Sequence, residues 1–202
     1  MRAVIGIACM GLLACAPASA ADQTYVLTVS HHPSIRDFSD NKIKEFPRKV
    51  SAMLQKAGCN VTFTLDGSVR TFSSASVPAV ITSDRDLDQV HGEPTDVKIV
   101  KEIHCCVEKK GDFAGCSWPP KAGSHSIIMT EDGATLGNRW AHEFGHRMGL
   151  PHRGDKSVLM TGTGVTAASV QISADECRCF LNEGSCTLPP QQLPAPQDRC
   201  PK

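Results

Sequence analysis

Residues 142–152 read His-Glu-Phe-Gly-His-Arg-Met-Gly-Leu-Pro-His, and this run restricts what the chain can fold into more than any other stretch. On a helix, positions four apart face the same way at about 6 Å along the axis, so His142 and His146 can offer two imidazoles to one ion. Glu143 falls on the adjoining face, close to such an ion without ligating it. His152 would lie about 15 Å up the axis from His142 if the helix continued, so the chain has to turn back. Gly149 is the place, because glycine enters the left-handed region without a Cβ clash, and Pro151 stiffens the return. The run fits the pattern H-E-x-x-H-x-x-G-x-x-H at every fixed position. Three neutral imidazoles leave a fourth position open, which is the arrangement of a catalytic zinc site rather than a closed structural one. The expected cofactor is a single Zn2+ on His142, His146 and His152, with Glu143 as general base and then acid in the hydrolysis of a peptide bond. Core histidines that merely satisfy hydrogen bonds explain one such residue, not three in register with a Glu and a Gly.

The two ends of the chain point to export. Arg2 gives a small positive start, Ala3 to Ala14 is apolar, and Ala18-Ser19-Ala20 offers a small-residue cleavage site, so residues 1–20 are expected to be a removed signal peptide. The apolar stretch is too short to span a bilayer, and no transmembrane segment is expected in the mature chain. Leu12-Leu13-Ala14-Cys15 also resembles a lipobox, and processing there would instead leave a lipid anchor on Cys15. Of the ten cysteines, Cys9 and Cys15 fall inside the leader, and an even number remains: Cys59, Cys105, Cys106, Cys116, Cys177, Cys179, Cys186 and Cys200. In an exported domain an even count implies disulfides, with the pairing left open by the sequence. Cys177-x-Cys179 and the adjacent Cys105-Cys106 lack the spacing of zinc ribbons. Lysine and arginine total 21 against 21 acidic residues, so there is no basic footprint for nucleic acid or an anionic membrane. The expected location is secreted or periplasmic, and the expected state a monomer acting on protein or peptide substrates.

Alternation at Tyr25, Leu27 and Val29 predicts a strand over 24–30. Apolar positions at Ile43, Val50, Met53, Leu54 and Ala57 predict a helix ending at Gly58, which Pro47 either kinks or opens. Val61–Leu65 and Ser68–Phe72 flank Asp66-Gly67 as a hairpin would. Further strands are expected over 77–82, 96–107 and 126–130, a second helix over about 135–148, and a third after Ser173-Ala174-Asp175-Glu176, a capping-box sequence. The Pro- and Gln-rich residues 189–202 suggest an extended tail, pinned if Cys200 is bonded. His31, His32, His91, His104 and His125 stand alone and are taken as surface or hydrogen-bonded histidines. Asn60-Val61-Thr62 fits an N-glycosylation pattern of low specificity.

Together with Ser157-Val158-Leu159-Met160 downstream, the histidine run resembles the metzincin clan of zinc endopeptidases, with the Met-turn spacing of matrixins. Residues 95 to 180 resemble small exported bacterial members. The resemblance implies an α+β fold: a twisted mixed β-sheet with helices upstream, the active-site helix, and an irregular lower subdomain with a C-terminal helix, all within a catalytic domain over 21–188. It implies that Met160 floors the metal site, that Gly149 supports it, and that 126–130 is the edge strand binding substrate backbone, with Ile127, Ile128 and Met129 nearest the cleft. Trp140, Phe144, Leu150, Met160 and Phe180 are expected to be buried. Arg153 departs from the residues that follow the third histidine in the better-known subfamilies. Gly162 stands where astacins and serralysins carry a tyrosine. Two other classes of function compete: a zinc-containing binding or toxin-associated protein without activity, and a zinc amidase on small or cell-wall substrates.

Overall fold

A computed structural model describes residues 22–35, 40–106, 109–117, 126–134, 137–154, 159–161, 171–181 and 200. The leader at 1–20, Cys15, His125, Cys186, Gly162 and all of the 189–202 tail except Cys200 lie outside the described residues. Strand β1 (Gln23–Leu27) buries Tyr25 and Leu27 and exposes its alternate positions, as its period predicts. It runs into β2 (Val29–His31) through Thr28, whose N–H and hydroxyl both donate to Asp96 at 2.8 and 2.7 Å. Helix α1 (Asp40–Lys56) buries Ile43, Phe46, Val50 and Leu54 along one stripe. Pro47 lies inside this helix rather than opening it. One turn on, Ser51 donates to the Pro47 carbonyl at 2.7 Å and accepts from Phe63 N at 2.7 Å, which stitches α1 to β3 (Val61–Leu65).

The expected hairpin at Asp66-Gly67 does not form. β3 pairs in parallel with β1, whereas β4 (Arg70–Thr71) pairs in parallel with β2. Gly67 does supply a left-handed turn, φ +76°, but the chain beyond it crosses to another sheet. Apolar faces on β1 and β3 have α1 to cover them, and that tertiary burial overrides the local turn signal. Next come β5 (Val80–Ile81), α2 (Asp84–His91), β6 (Val97–Val100), β7 (Glu102–Cys106), β8 (Lys109–Phe113), β9 (Gly115–Ser117) and β10 (Ile127–Thr130). Helix α2 carries a Ser83 cap on Asp86 N. The short α3 (Glu131–Ala134) leads to α4 (Gly137–Arg147), and α5 (Ala174–Leu181) closes the described chain apart from Cys200.

The central sheet has the order β4-β2-β6-β10-β9, parallel except for the last pair; β5-β7-β8 and the pair β1-β3 form two further sheets. The chain is α+β with mixed sheets, as expected. β10 is not an edge: β6 flanks it on one side and β9 on the other, and Ile127, Ile128 and Met129 are fully buried. Ile127 and Met129 join the core beneath α1 and α4, while Ile128 joins a second core with Phe72, Leu87, Val100 and Ile103. An unbroken apolar run belongs to a strand covered on both faces, so these three residues are core and the edge falls to β9.

Three disulfides between described residues tie this together: Cys59–Cys177 joins the end of α1 to α5, Cys106–Cys116 joins β7 to β9, and Cys105–Cys200 links β7 to the tail. Cys179 is bonded as well. The capping box forms as expected, with Ser173 N donating to Glu176 Oε2 at 2.8 Å and Glu176 N to Ser173 Oγ at 3.1 Å. Among the described residues no helix is long and apolar enough to cross a membrane.

One core residue is a lysine. Lys98 is 1% exposed on β6 and donates its ammonium to the Thr95 carbonyl. Burial lowers its pKa from 10.5 to about 8, opposed by Asp96 and Glu93 and assisted by Arg147. The unfolded chain holds this proton up to its ordinary pKa, so between about pH 8 and 10.5 it binds more protons than the folded chain does. The charge-burial cost is present in full below that window and is relieved as pH rises through it. Stability attributable to this group therefore increases from pH 8 to 10, and Lys98→Met removes the increase. Urea unfolding of both proteins across that range checks it, and parallel curves would refute it.

Candidate metal centre and cleft

Helix α4 turns Trp140, Ala141 and Phe144 inward. The Phe144 ring meets Phe63 and Tyr25 edge-on at 4.6 and 4.7 Å between centroids. Tyr25 in turn donates its hydroxyl to the Phe180 carbonyl at 2.6 Å, joining α5 to the same cluster. All five residues expected to be buried are, at 2% exposure or less. With that face fixed by packing, His142, Glu143 and His146 are carried to the cleft side.

The helix ends in the geometry its sequence requires. Gly149 takes φ +88°, Gly149 N donates to the His146 carbonyl and Leu150 N to the Gly145 carbonyl, both at 2.9 Å. This is a Schellman closure, and the buried Leu150 is its apolar contact. The returning chain is held by Arg153 N donating to the Met160 carbonyl at 2.7 Å, beside a parallel bridge from Arg153 to Thr161. Met160 is fully buried, and its sulfur fills the space where a side chain on Gly145 would lie.

The reversal brings three rings together. Nε2 atoms of His142, His146 and His152 stand 3.1, 3.0 and 3.2 Å apart pairwise. Nδ1 of His142 lies 2.8 Å from the Leu159 carbonyl and Nδ1 of His146 2.8 Å from the Leu150 carbonyl. A carbonyl can only accept, so each Nδ1 carries the proton and each Nε2 keeps a lone pair. Uncharged nitrogens converging at such distances would repel unless they share a cation. A tetrahedral zinc with ligands at about 2.1 Å sets its nitrogens roughly 3.4 Å apart, so the triangle fits such an ion after a small expansion. A second group of ligand-type residues, Asp84, Cys105 and Cys200, has both of its thiols committed to a disulfide.

Glu143 is 8% exposed beside this triangle. Burial raises its pKa, opposed by its electrostatic interaction with His142, by the Ser117 hydroxyl and by Arg139. Ser117 Oγ donates to Glu143 Oε2. Strand β9 crosses this carboxylate so closely that a Cβ on Gly115 would lie 2.6 Å from Glu143 Cγ. Nothing in the sequence reading singled out Gly115 or Ser117; their small size is the one available signal. It also missed Arg147, which leaves α4 on the other side to meet Asp96 at 3.3 Å and to lie over the Phe144 ring.

Residues 80–163, less than half of the chain, match the family model of Peptidase M66. No curated protein is a significant match. Among solved structures, the archaemetzincin of Methanopyrus kandleri aligns with a TM-score of 0.50 at 12% identity, over 81% of this chain and 96% of that one. A protein described as a chaperone–substrate complex aligns at 0.53 and 12% identity, over 79% of this chain but only 33% of its own. Metalloproteinase-II from Bacteroides fragilis aligns at 0.48 and 16%, over 80% of this chain and 55% of its own. The fold is similar to that of the Methanopyrus archaemetzincin. Across the segment that holds the histidines the chain is similar to Peptidase M66.

Seating of Met160 against the helix backbone is directly testable. Gly145→Ala places a methyl on the Met160 sulfur and should cost about 1–3 kcal/mol by overpacking. Gly145→Ala with Met160→Ala should be more stable than the sum of the single losses predicts, because the smaller side chain vacates the clash. Chemical denaturation of the four proteins measures this coupling, and strict additivity would exclude the contact.

Proposed function

We propose that the protein is a secreted zinc endopeptidase whose ion is held by Nε2 of His142, His146 and His152 and whose general base is Glu143. The observation that carries this reading is the convergence of three Nε2 atoms within 3.2 Å, two of them with Nδ1 committed to main-chain carbonyls. The donor set is chemically suited to zinc, being all imidazole and neutral, with one coordination position left over. When bound, the metal supplies Lewis acidity toward a peptide carbonyl and acidifies water toward a pKa of about 7.

The chain's own residues do the rest. Glu143 accepts a proton from the attacking water and returns it to the departing amine, and its burial keeps bulk water from competing for that proton. Met160 supports the ring plane from below through Gly145, and Gly149 keeps His152 on the near side. Among the described residues β9 has a partner on one side only, so a substrate strand can add to its free edge next to Glu143. Ile127, Ile128 and Met129 serve the core instead.

The disulfides suit an oxidising compartment. We assign residues 1–20 to an export leader, with lipidation at Cys15 the alternative route, 21–188 to the catalytic unit and 189–202 to a tail pinned at Cys200. The mature protein acts as a monomer on protein or peptide substrates.

Glu143→Ala should retain one equivalent of zinc and lose kcat/KM on denatured protein substrates by about 10²–10⁴-fold. His152→Ala should lose the metal, and a chelator should silence the wild type. Zinc analysis with proteomic cleavage profiling reads all three. Equal cleavage by Glu143→Ala and wild type would remove the base assignment, and no chelator-sensitive cleavage at all would favour a binding protein.

A further inference from the structure

Resting on the assignment of Glu143 as base, we propose that strand β9 is a clamp for that carboxylate, with Ser117 the positioning residue and Gly115 the gap that admits it. Side chains alternate along a strand, so Gly115 and Ser117 share one face and Cys116 takes the other. The first face lies on Glu143: Ser117 Oγ donates to Oε2, and Gly115 leaves room for Oε1, which would stand 2.7 Å from any Cβ built there. The opposite face is locked by the Cys106–Cys116 disulfide, and the register is set by antiparallel pairing of Cys116 with Ile128 and Gly115 with Met129. Ser117 is 5% exposed, so its hydroxyl has little water to bond with instead of the carboxylate.

The physical consequence is selection of one side-chain rotamer. A glutamate has three side-chain torsions and, in an open cleft, would sample several of them. One oxygen tethered to a strand that is itself fixed on its far side leaves the other oxygen in a single place for proton transfer. Preorganisation of this kind acts on the chemical step rather than on substrate association. Among the described residues that strand is paired along one edge only, so a substrate added at the other would reference the base and the scissile bond to one short piece of backbone. Ser117 touches neither substrate nor metal in this scheme and acts through Glu143.

Ser117→Ala should therefore lower kcat about 5- to 50-fold with KM nearly unchanged, with full zinc content and an unaltered melting transition. Ser117→Thr, which keeps the hydroxyl, should recover most of the loss. Gly115→Ala should lower kcat as well, by displacing the carboxylate. In a Glu143→Ala background neither change should affect the residual rate. Independently of turnover, the carboxylate infrared band of the zinc-free protein, assigned by difference from Glu143→Gln, should shift in Ser117→Ala. Wild-type kcat in Ser117→Ala, or loss of kcat together with metal or fold, overturns the clamp while leaving the base assignment intact. Full activity in Glu143→Ala would remove the base assignment itself.

Discussion

Two main-chain carbonyls govern what the histidine cluster can do. Leu150 O and Leu159 O each face the Nδ1 of an imidazole, and so decide that the ring's lone pair is on Nε2 and directed to a common point. Without those acceptors either ring could protonate the wrong nitrogen or rotate, and proximity alone would not make a site. Both carbonyls are late arrivals in the chain. Leu150 O is presented by the turn that ends α4, and Leu159 O by the segment that returns beneath it. The helix supplies the rings; the reversal supplies their orientation.

That reversal is held by packing that has little to do with metal chemistry. Met160 sits against the bare backbone of Gly145, Leu150 closes the Schellman turn from inside, and Phe144 is gripped by Tyr25 and Phe63. Arg147 adds a polar tie on the sheet side through Asp96, which also holds the β1–β2 junction at Thr28. Helix α4 is thus fixed to the sheet by a partly buried ion pair and an aromatic cluster. Its other side carries the rings and Glu143 toward the cleft.

The parts of this arrangement that could be read from the sequence are those governed by short-range geometry. Spacing of four between His142 and His146 fixes their common face, Gly149 marks the turn, and Ser173 with Glu176 marks the start of α5. Sequence reasoning failed where the answer depended on which strands meet. Asp66-Gly67 looks like a hairpin because turn chemistry is local, but β3 and β4 go to different sheets for the sake of faces the turn cannot sense. Ile127, Ile128 and Met129 were placed at an edge by resemblance, although three consecutive apolar residues already describe a strand covered on both faces. Ser117 and Gly115 carry no periodic or motif signal, since their significance comes from a strand pairing and a helix contact far apart in sequence. Lys98 is the opposite case: a charged residue in an apolar strand is visible in the sequence, yet its neighbours, Asp96, Glu93 and Arg147, come together only in the fold.

Strand β9 shows why so short an element can matter. It spans Gly115–Ser117 and could not persist alone, since an isolated pairing of that length is marginal in water. It is held by β10 along one edge and by a disulfide to β7 from its outward face. The disulfide belongs to the second core, the one built around Ile81, Leu87, Val100 and Ile103, whereas β10 serves both, with Ile128 in the second core and Ile127 and Met129 in the first. The rings are thus ordered by the core under α1 and α4, while the strand lying against Glu143 is tied to both cores, through β10 and through its disulfide. A substitution deep in the second core should then disturb the alignment of Glu143 more than the grouping of the three imidazoles.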